Sequence, residues 1–298
     1  MQNHKIEDSN KQIRYVTNLG IVGNVILAIV KVGVGFLTGS IALIADGIHS
    51  LSDMATDVAV LLGVHYGSKQ PDKKHPYGHG RIETFSAGFI ALVLVFGGAG
   101  MIYYAAFDIS RSKIMEPHIT ILIVAIASVI IKEMLYKITK KVAIESHSSA
   151  LYANAWHHRS DSLSSIVVLV GFTSQRLGFG YGDQIAAVAV GLMIVMVGIR
   201  VMRECLRELT ESAVDSETID EIKNIIKSNP SIEQWHKLRT RTVGREVFLD
   251  LHILVNPELT ITAAHEIAES LENTMHEHIT RPVNITVHIE PNLPELRK

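Results

Sequence analysis

Six long apolar runs fill the first two thirds of the chain, each interrupted by few charges. They extend from about residue 15 to 37, 41 to 67, 82 to 107, 118 to 137, 148 to 173 and 184 to 203. Each is near the ~20 residues that a helix needs to cross a bilayer. Burying all six in a soluble core would need more polar covering surface than the chain offers. The pattern therefore predicts six transmembrane helices. Only the short turn LTGS separates the first two.

Beyond residue 210 the pattern changes. ESAVDSETIDEIKNIIKSNPSIEQ is polar with a helical period, and HKLRTRTVGREVFLDLHILVN alternates like a hairpin with Val-Gly at its turn. ITAAHEIAESLENTMHEHI is helical again, with Thr260 or Thr262 as its cap, and VNITVHIEP reads as a last strand. Helix, strand, strand, helix, strand predicts an α+β domain with its helices on one face of a sheet. The expected organisation is a segment 1–14, a six-helix transmembrane domain 15–208 and a soluble domain 209–298.

Lysine and arginine set the expected orientation. Lys5, Lys11 and Arg14 precede the first run, and Lys69, Lys73, Lys74 and Arg81 follow the second. Lys137, Lys140 and Lys141 follow the fourth, and Arg200, Arg203 and Arg207 close the sixth. With six spans these groups fall on one side, which places both termini and the soluble domain in the cytoplasm. Arg111, Lys113 and Arg176 on the other side weaken the contrast. A net charge of -2 gives no basic surface for nucleic acid. The single cysteine, Cys205, excludes an intrachain disulfide and a thiolate zinc cluster, so metal chemistry must rest on imidazole and carboxylate. The opening MQNHKIEDSNKQIRY reads as neither a secretory signal nor an Arg-rich transit peptide.

The second apolar run contains ADGIHSLSDMATD, with Asp46, His49, Asp53 and Asp57 on one helical face. Charges inside a bilayer cost roughly 2.5–3.5 kcal/mol each on insertion scales, so such a stripe needs a purpose. The fifth run repeats the His-x-x-x-Asp spacing as His157 and Asp161. Two facing pairs make two imidazoles and two carboxylates, a set that fits tetrahedral Zn²⁺. An all-oxygen set would lean to Mn²⁺ or Mg²⁺. Asp46 and Asp57 lie about a turn away and read either as lining a cation pathway or, for Asp57, as pairing with Lys31. Asn24 reads as interhelical hydrogen-bonding glue. His158 points ~100° away from His157 and reads as a supporting residue or one at the lipid interface. The loop PDKKHPYGHGR offers Asp72, His75 and His79 as a second metal site. In the tail, His236, His252, His265, His288 and Glu290 suggest a third, with His288 and Glu290 on one face of their strand. His276 and His278 read as solvent-facing helix residues.

DGIHSLSD, HPYGHGRIE, HHRSD and HKLRTR together resemble the cation diffusion facilitator family of metal transporters, over nearly the whole chain. The resemblance implies a homodimer with six spans per protomer and a ferredoxin-like cytoplasmic domain. It implies export of a divalent cation in exchange for protons, with no organic cofactor and no enzymatic reaction. It assigns His49, Asp53, His157 and Asp161 to the transport site, and Asp72, His75 and His79 to the loop site. The cytoplasmic site draws on His236, His252, His265, His288 and Glu290, where some members carry Asp in place of Glu290. Arg81 and Glu211 match a charge pair at the membrane boundary of some members. The His-Asp/His-Asp form looks like the zinc-preferring branch, with Zn²⁺ as substrate and regulatory ligand. The expected location is the plasma (inner) membrane. Alternatives are the same architecture exporting Mn²⁺ or Fe²⁺, and a membrane metal sensor that does not transport. An intramembrane zinc hydrolase would need an open coordination position and a general base, and the chain has no HExxH motif.

Overall fold

The computed structural model describes residues 2–38, 47, 50, 53–107, 119–176 and 182–297. These divide into two compact units, one of residues 9–205 and one of residues 1–8 with 206–298. The helical elements are α1 (Gln2–Thr38), α2 (Met54–Gly67), α3 (Arg81–Phe107), α4 (Ile119–Glu145), α5 (Ser149–Arg176) and α6 (Gly182–Leu209). These are the six transmembrane helices, in the expected order. Two of them, over Ile6–Leu37 and Arg81–Tyr103, are long and apolar enough for a bilayer by length and composition alone.

Several helices run past the apolar stretches that announced them. The polar residues 2–14 continue as the first turns of α1, because no proline or glycine interrupts them before Gly20. Likewise α4 continues through Lys137, Lys140 and Lys141 to Glu145. A span therefore marks only the part of a helix that hydrocarbon surrounds.

Burial is inverted relative to a water-soluble protein. Leu19, Val22, Ile26 and Ile29 of α1, Phe85, Phe89 and Phe96 of α3, and Ile126, Ile130 and Met134 of α4 are all exposed. Asn24, Lys31, Asp53, Asp57, Thr84, Ser128, Lys132, Asn154, His157, His158 and Ser162 are buried. Apolar side chains outside and polar ones inside suit hydrocarbon as the surrounding solvent. Around the polar interior, Ile13, Val16, Val60, Val64, Ile90, Ala150, Leu151 and Val201 pack as an apolar cluster. α5 packs against α4, α3 and α2, so its side chains reach three neighbours.

Small residues allow the helices this proximity. A Cβ on Gly98 of α3 would lie 2.8 Å from the Gly191 carbonyl oxygen of α6, and a Cβ on Gly191 would lie 2.9 Å from that of Gly98. The backbones therefore touch where α3 meets α6, the close approach that membrane helices use in place of a hydrophobic driving force.

The second unit runs α7 (Ser216–Ser228), β1 (Gln234–Val243), β2 (Glu246–Val255), α8 (Ile261–His278) and β3 (Val283–Pro291). The sheet order is β1-β2-β3, with β1 antiparallel and β3 parallel to β2. Gly244, at φ +59°, makes the hairpin turn after Val243. Asp215 caps α7, its side chain accepting from the Thr218 N–H, and Thr260 caps α8 through the Ala263 N–H. Val247, Leu249, Leu251, Ile253 and Val255 alternate along β2 into a core with Ile222, Ile226, Leu271 and Met275 of the two helices. The intervening Phe248, Asp250, His252 and Leu254 take the other face of the sheet. The unit is the expected α+β domain.

The α3–α6 crossing gives a direct test. Gly98→Leu is expected to push the helices apart and to lower the thermal midpoint of the detergent-solubilised protein. The same change at Gly88, where a Cβ would meet nothing within 4 Å, is expected to leave it nearly unchanged.

In the tail, backbone N–H bonds from Thr218 hold the Asp215 carboxylate below its ordinary range, against a smaller opposing effect of burial. Asp215→Ala is expected to cost about 1 kcal/mol at neutral pH. A carboxylate with a depressed folded value stabilises above its unfolded value and loses that contribution as pH falls through the folded one. The difference between the two proteins should therefore shrink as pH drops below about 4, which chemical melts at several pH values would show.

Candidate metal centres

The helical unit brings three predicted side chains to one point. Asp53 stands at the start of α2, while His157 and Asp161 are one turn apart on α5. His157 Nε2 lies 3.6 Å from Asp53 Oδ1 and 4.0 Å from Asp161 Oδ2. One ligand atom from each residue falls within 4.8 Å of the other two. The His157 Nε2 atom is buried without a hydrogen-bond partner, although it faces two carboxylates. An unbonded imidazole nitrogen between carboxylate oxygens is a donor set for a divalent cation. His49 and Asp46 lie outside the described residues.

A fourth residue enters that the apolar pattern did not announce. Lys132 of α4 donates from Nζ to Asp161 Oδ2 at 2.7 Å and to Asp53 Oδ2 at 3.1 Å, and only 1% of its side chain is exposed. It lies near the middle of α4, within the fourth apolar run. The available signal was the charged pair Lys132 and Glu133 inside VIIKEMLY, since an ionisable residue in a membrane span is a functional candidate by default.

One turn along α2, Asp57 is fully buried among neutral polar groups. Asn24 of α1 donates to its Oδ2 at 3.0 Å, Asn154 of α5 donates to its Oδ1 at 2.7 Å, and His158 Nε2 lies 3.5 Å from Oδ1. Lys31 does not pair with Asp57; its Nζ donates to Ser50 Oγ at 3.1 Å. His158 lies against Asp57 with no exposed surface, which removes a lipid-interface role. Asn24 does bond between helices, as expected of it.

In the loop before α3, Asp72 Oδ1 accepts from the backbone N–H groups of Lys74 and His75, at 2.8 and 2.7 Å. These bonds, His75's first, hold the Asp72 carboxyl below its usual range. His75 Nδ1 and His79 Nε2 approach its two oxygens at 3.3 and 3.4 Å, and the rings are 4.3 Å apart. Gly78, at φ +82°, makes the turn that returns His79 to the carboxylate. The three predicted loop residues thus form one group.

The tail group is set by sheet register. His236 of β1 pairs with His252 of β2, which pairs with His288 of β3, so three imidazoles form a row across the sheet. A bulge between His236 and Arg239, with Lys237 at φ +50°, bends β1 beside the first of them. Glu290, two residues beyond His288, reaches His236 Nε2 at 3.0 Å, His252 Nδ1 at 2.8 Å and His288 Nε2 at 3.5 Å. The His252 bond, then the neighbouring imidazoles, hold the Glu290 carboxyl low against a small effect of burial. His265 does not join them. It is exposed on α8, which packs on the face of the sheet opposite His252. Glu211 pairs with Arg241 at 3.4 Å within its own unit. Arg81 opens α3 in the helical unit.

Fold and donor groups together describe an apolar-surfaced helical unit and an α+β unit, each carrying a cluster of imidazole and carboxylate groups of the kind that could hold a metal ion. Comparison with known proteins makes this specific. A sequence model of the cation efflux transmembrane domain matches residues 18–210, and one of the cation efflux protein cytoplasmic domain matches residues 214–292. The chain belongs to the cation diffusion facilitator family and is an integral membrane protein of divalent metal cation efflux.

Metal tolerance protein C1 of Arabidopsis thaliana is 34% identical over 93% of this chain, which spans 62% of that protein's length. An uncharacterized transporter of Methanocaldococcus jannaschii is 35% identical over 91% of this chain and 96% of its own. The manganese efflux system protein MneP of Bacillus subtilis is 28% identical over 95% of this chain and 97% of its own.

The tail group predicts a selective effect. Glu290→Gln keeps the side chain's size and one acceptor oxygen but removes the charge that three imidazoles share. It is expected to weaken Zn²⁺ binding to the tail by about tenfold or more, roughly the loss of one charge-assisted contact. His265→Ala is expected to leave it unchanged, and isothermal calorimetry separates the two.

Proposed function

We propose that the protein exports Zn²⁺ in exchange for protons by alternating access. His49, Asp53, His157 and Asp161 form the transport site. The observation that carries this reading is the buried group of Asp53, His157 and Asp161, with an unbonded imidazole nitrogen facing two carboxylates. His49 lies one turn before Asp53 in sequence and supplies the second nitrogen. Two nitrogens and two oxygens suit zinc. Manganese is the second reading, favoured by the likeness to a relative named as a manganese efflux protein.

A metal-binding imidazole must be neutral, and the reference value for imidazole is near 6.5, so protons compete with metal for such a site. Moving a divalent cation out against an inside-negative potential costs ~4.6 kcal/mol per 100 mV, at ~2.3 per charge. One returning proton offsets half of that, and two make the exchange electroneutral. The cytoplasm receives both termini and the tail. Asp46 and Asp57 line the path beside the site. Asp72, His75 and His79 collect metal at the cytoplasmic surface. His236, His252, His288 and Glu290 bind regulatory zinc in a homodimer, favouring one transport state through a difference in affinity between states. Arg81 and Glu211 couple the soluble domain to the spans. The membrane is the plasma (inner) membrane.

Inside-out proteoliposomes loaded with a pH-sensitive dye test the reading, with Zn²⁺, Mn²⁺, Fe²⁺, Co²⁺ and Cd²⁺ offered separately. Proton movement driven by zinc and lost in Asp53→Ala is the expected result. Movement with manganese or iron alone would retain the architecture and replace the metal. Absence of movement with every metal, in folded protein, would leave a membrane sensor that does not transport.

A further inference from the structure

The proposed cation centre already holds a cation. Lys132 Nζ lies 2.7 Å from Asp161 Oδ2 and 3.1 Å from Asp53 Oδ2. The shorter distance is that of a charge-assisted hydrogen bond, and the longer lies within the ordinary hydrogen-bond range. With 1% of its side chain exposed, the ammonium is not reaching to water. Its backbone belongs to α4, whereas the carboxylates come from the start of α2 and from α5. Lys132 thus ties three helices together through its ion pairs and hydrogen bonds.

We propose that Lys132 is a tethered competitor of the transported metal: its ammonium and the divalent cation take turns on the Asp53 and Asp161 carboxylates. The proposal rests on the transport reading and adds what limits metal affinity. His157 Nε2 is 4.0 Å from Asp161 Oδ2, the oxygen to which the ammonium is nearest. A metal bound to that oxygen at the ~2.0–2.2 Å of carboxylate coordination would meet a like charge at close range, in surroundings of low dielectric. The ammonium must therefore withdraw as metal arrives. Four methylenes give a lysine the freedom to do so, which a short side chain lacks.

The same arrangement helps metal to leave. Two carboxylates stripped of any counter-charge inside a bundle would hold a divalent cation tightly, and a carrier needs binding strong enough to load and weak enough to unload. A returning ammonium replaces metal–carboxylate contacts with ion pairs of its own.

The test uses full-length protein with Lys132→Met, which keeps the length without the charge, and Lys132→Arg, which keeps the charge. Initial rates of Zn²⁺ and of Mn²⁺ flux are measured against metal concentration in proteoliposomes. Lys132→Met is expected to lower KM by about tenfold or more and to lower kcat as release slows. Lys132→Arg is expected to keep KM within a few-fold of the parent. An unchanged or raised KM in folded Lys132→Met would overturn the proposal, because a merely structural lysine would not improve apparent affinity.

That variant leaves two buried carboxylates unneutralised and risks poor folding, so a second measurement is needed. In a background with His75, His79, His236, His252 and His288 replaced by Ala, the thermal shift produced by Zn²⁺ is measured with and without Lys132→Met. A larger shift without the lysine is expected, since at a fixed metal concentration tighter binding to the folded state stabilises it more. An equal or smaller shift would overturn the competition. If the parent moved no metal, the transport reading would fail, and the thermal shift would still decide whether ammonium and metal contend for the carboxylates.

Discussion

Two carboxylates, Asp53 and Asp161, stand inside a helical unit whose outer surface is apolar, and the rest of that unit is organised around neutralising them. Leaving each charge unpaired in such surroundings would cost roughly 2.5–3.5 kcal/mol or more. The groups that face them come from different helices: the Lys132 ammonium of α4 pairs with both, and the His157 ring of α5 stands beside them. Next along α2, Asp57 is met instead by the amides of Asn24 and Asn154. Two successive turns of one helix are therefore stabilised by unlike means, a mobile charge at the first and fixed dipoles at the second. Fixed dipoles can hold a carboxylate but cannot be exchanged for metal without rebuilding the bonds. A lysine on a flexible stem can.

The close approach that this polar interior requires is possible because the helices are smooth where they cross. Gly98 and Gly191 bring the backbones of α3 and α6 into contact. α5, which buries Asn154, His157, His158 and Ser162, touches α2, α3 and α4. Polar contacts inside and small residues at the crossings are the two attractive resources open to helices in hydrocarbon.

The tail uses similar residues in another way. Its helices cover one face of the sheet, and the histidine row with Glu290 takes the other. Exposure differs accordingly: 1% for the Lys132 side chain and 13% for Asp161, but 24% for His252 and 62% for His288. A group open to water exchanges ions with the solution around it, whereas a buried one exchanges them only when its helices rearrange. His252 and His288 are the more open members of the tail group, whereas His236 and Glu290 are as enclosed as Asp161.

The sequence by itself determined the order of elements and most of the donors. Apolar runs marked the spans because hydrocarbon demands an apolar exterior whatever lies within, and the His-x-x-x-Asp spacing placed His157 and Asp161 on one face because a helix turn is about four residues. Alternation along the tail strands placed His288 beside Glu290. Tertiary structure alone decided which of these side chains met. It put Lys132 between two carboxylates that lie 79 and 29 residues from it in sequence. It gave Asp57 to Asn24 and Asn154 rather than to Lys31, and it left His265 across the sheet from His252. Periodicity reports the face of an element on which a residue lies. Which element faces it depends on packing between helices and on strand register, and a single helix or strand carries neither.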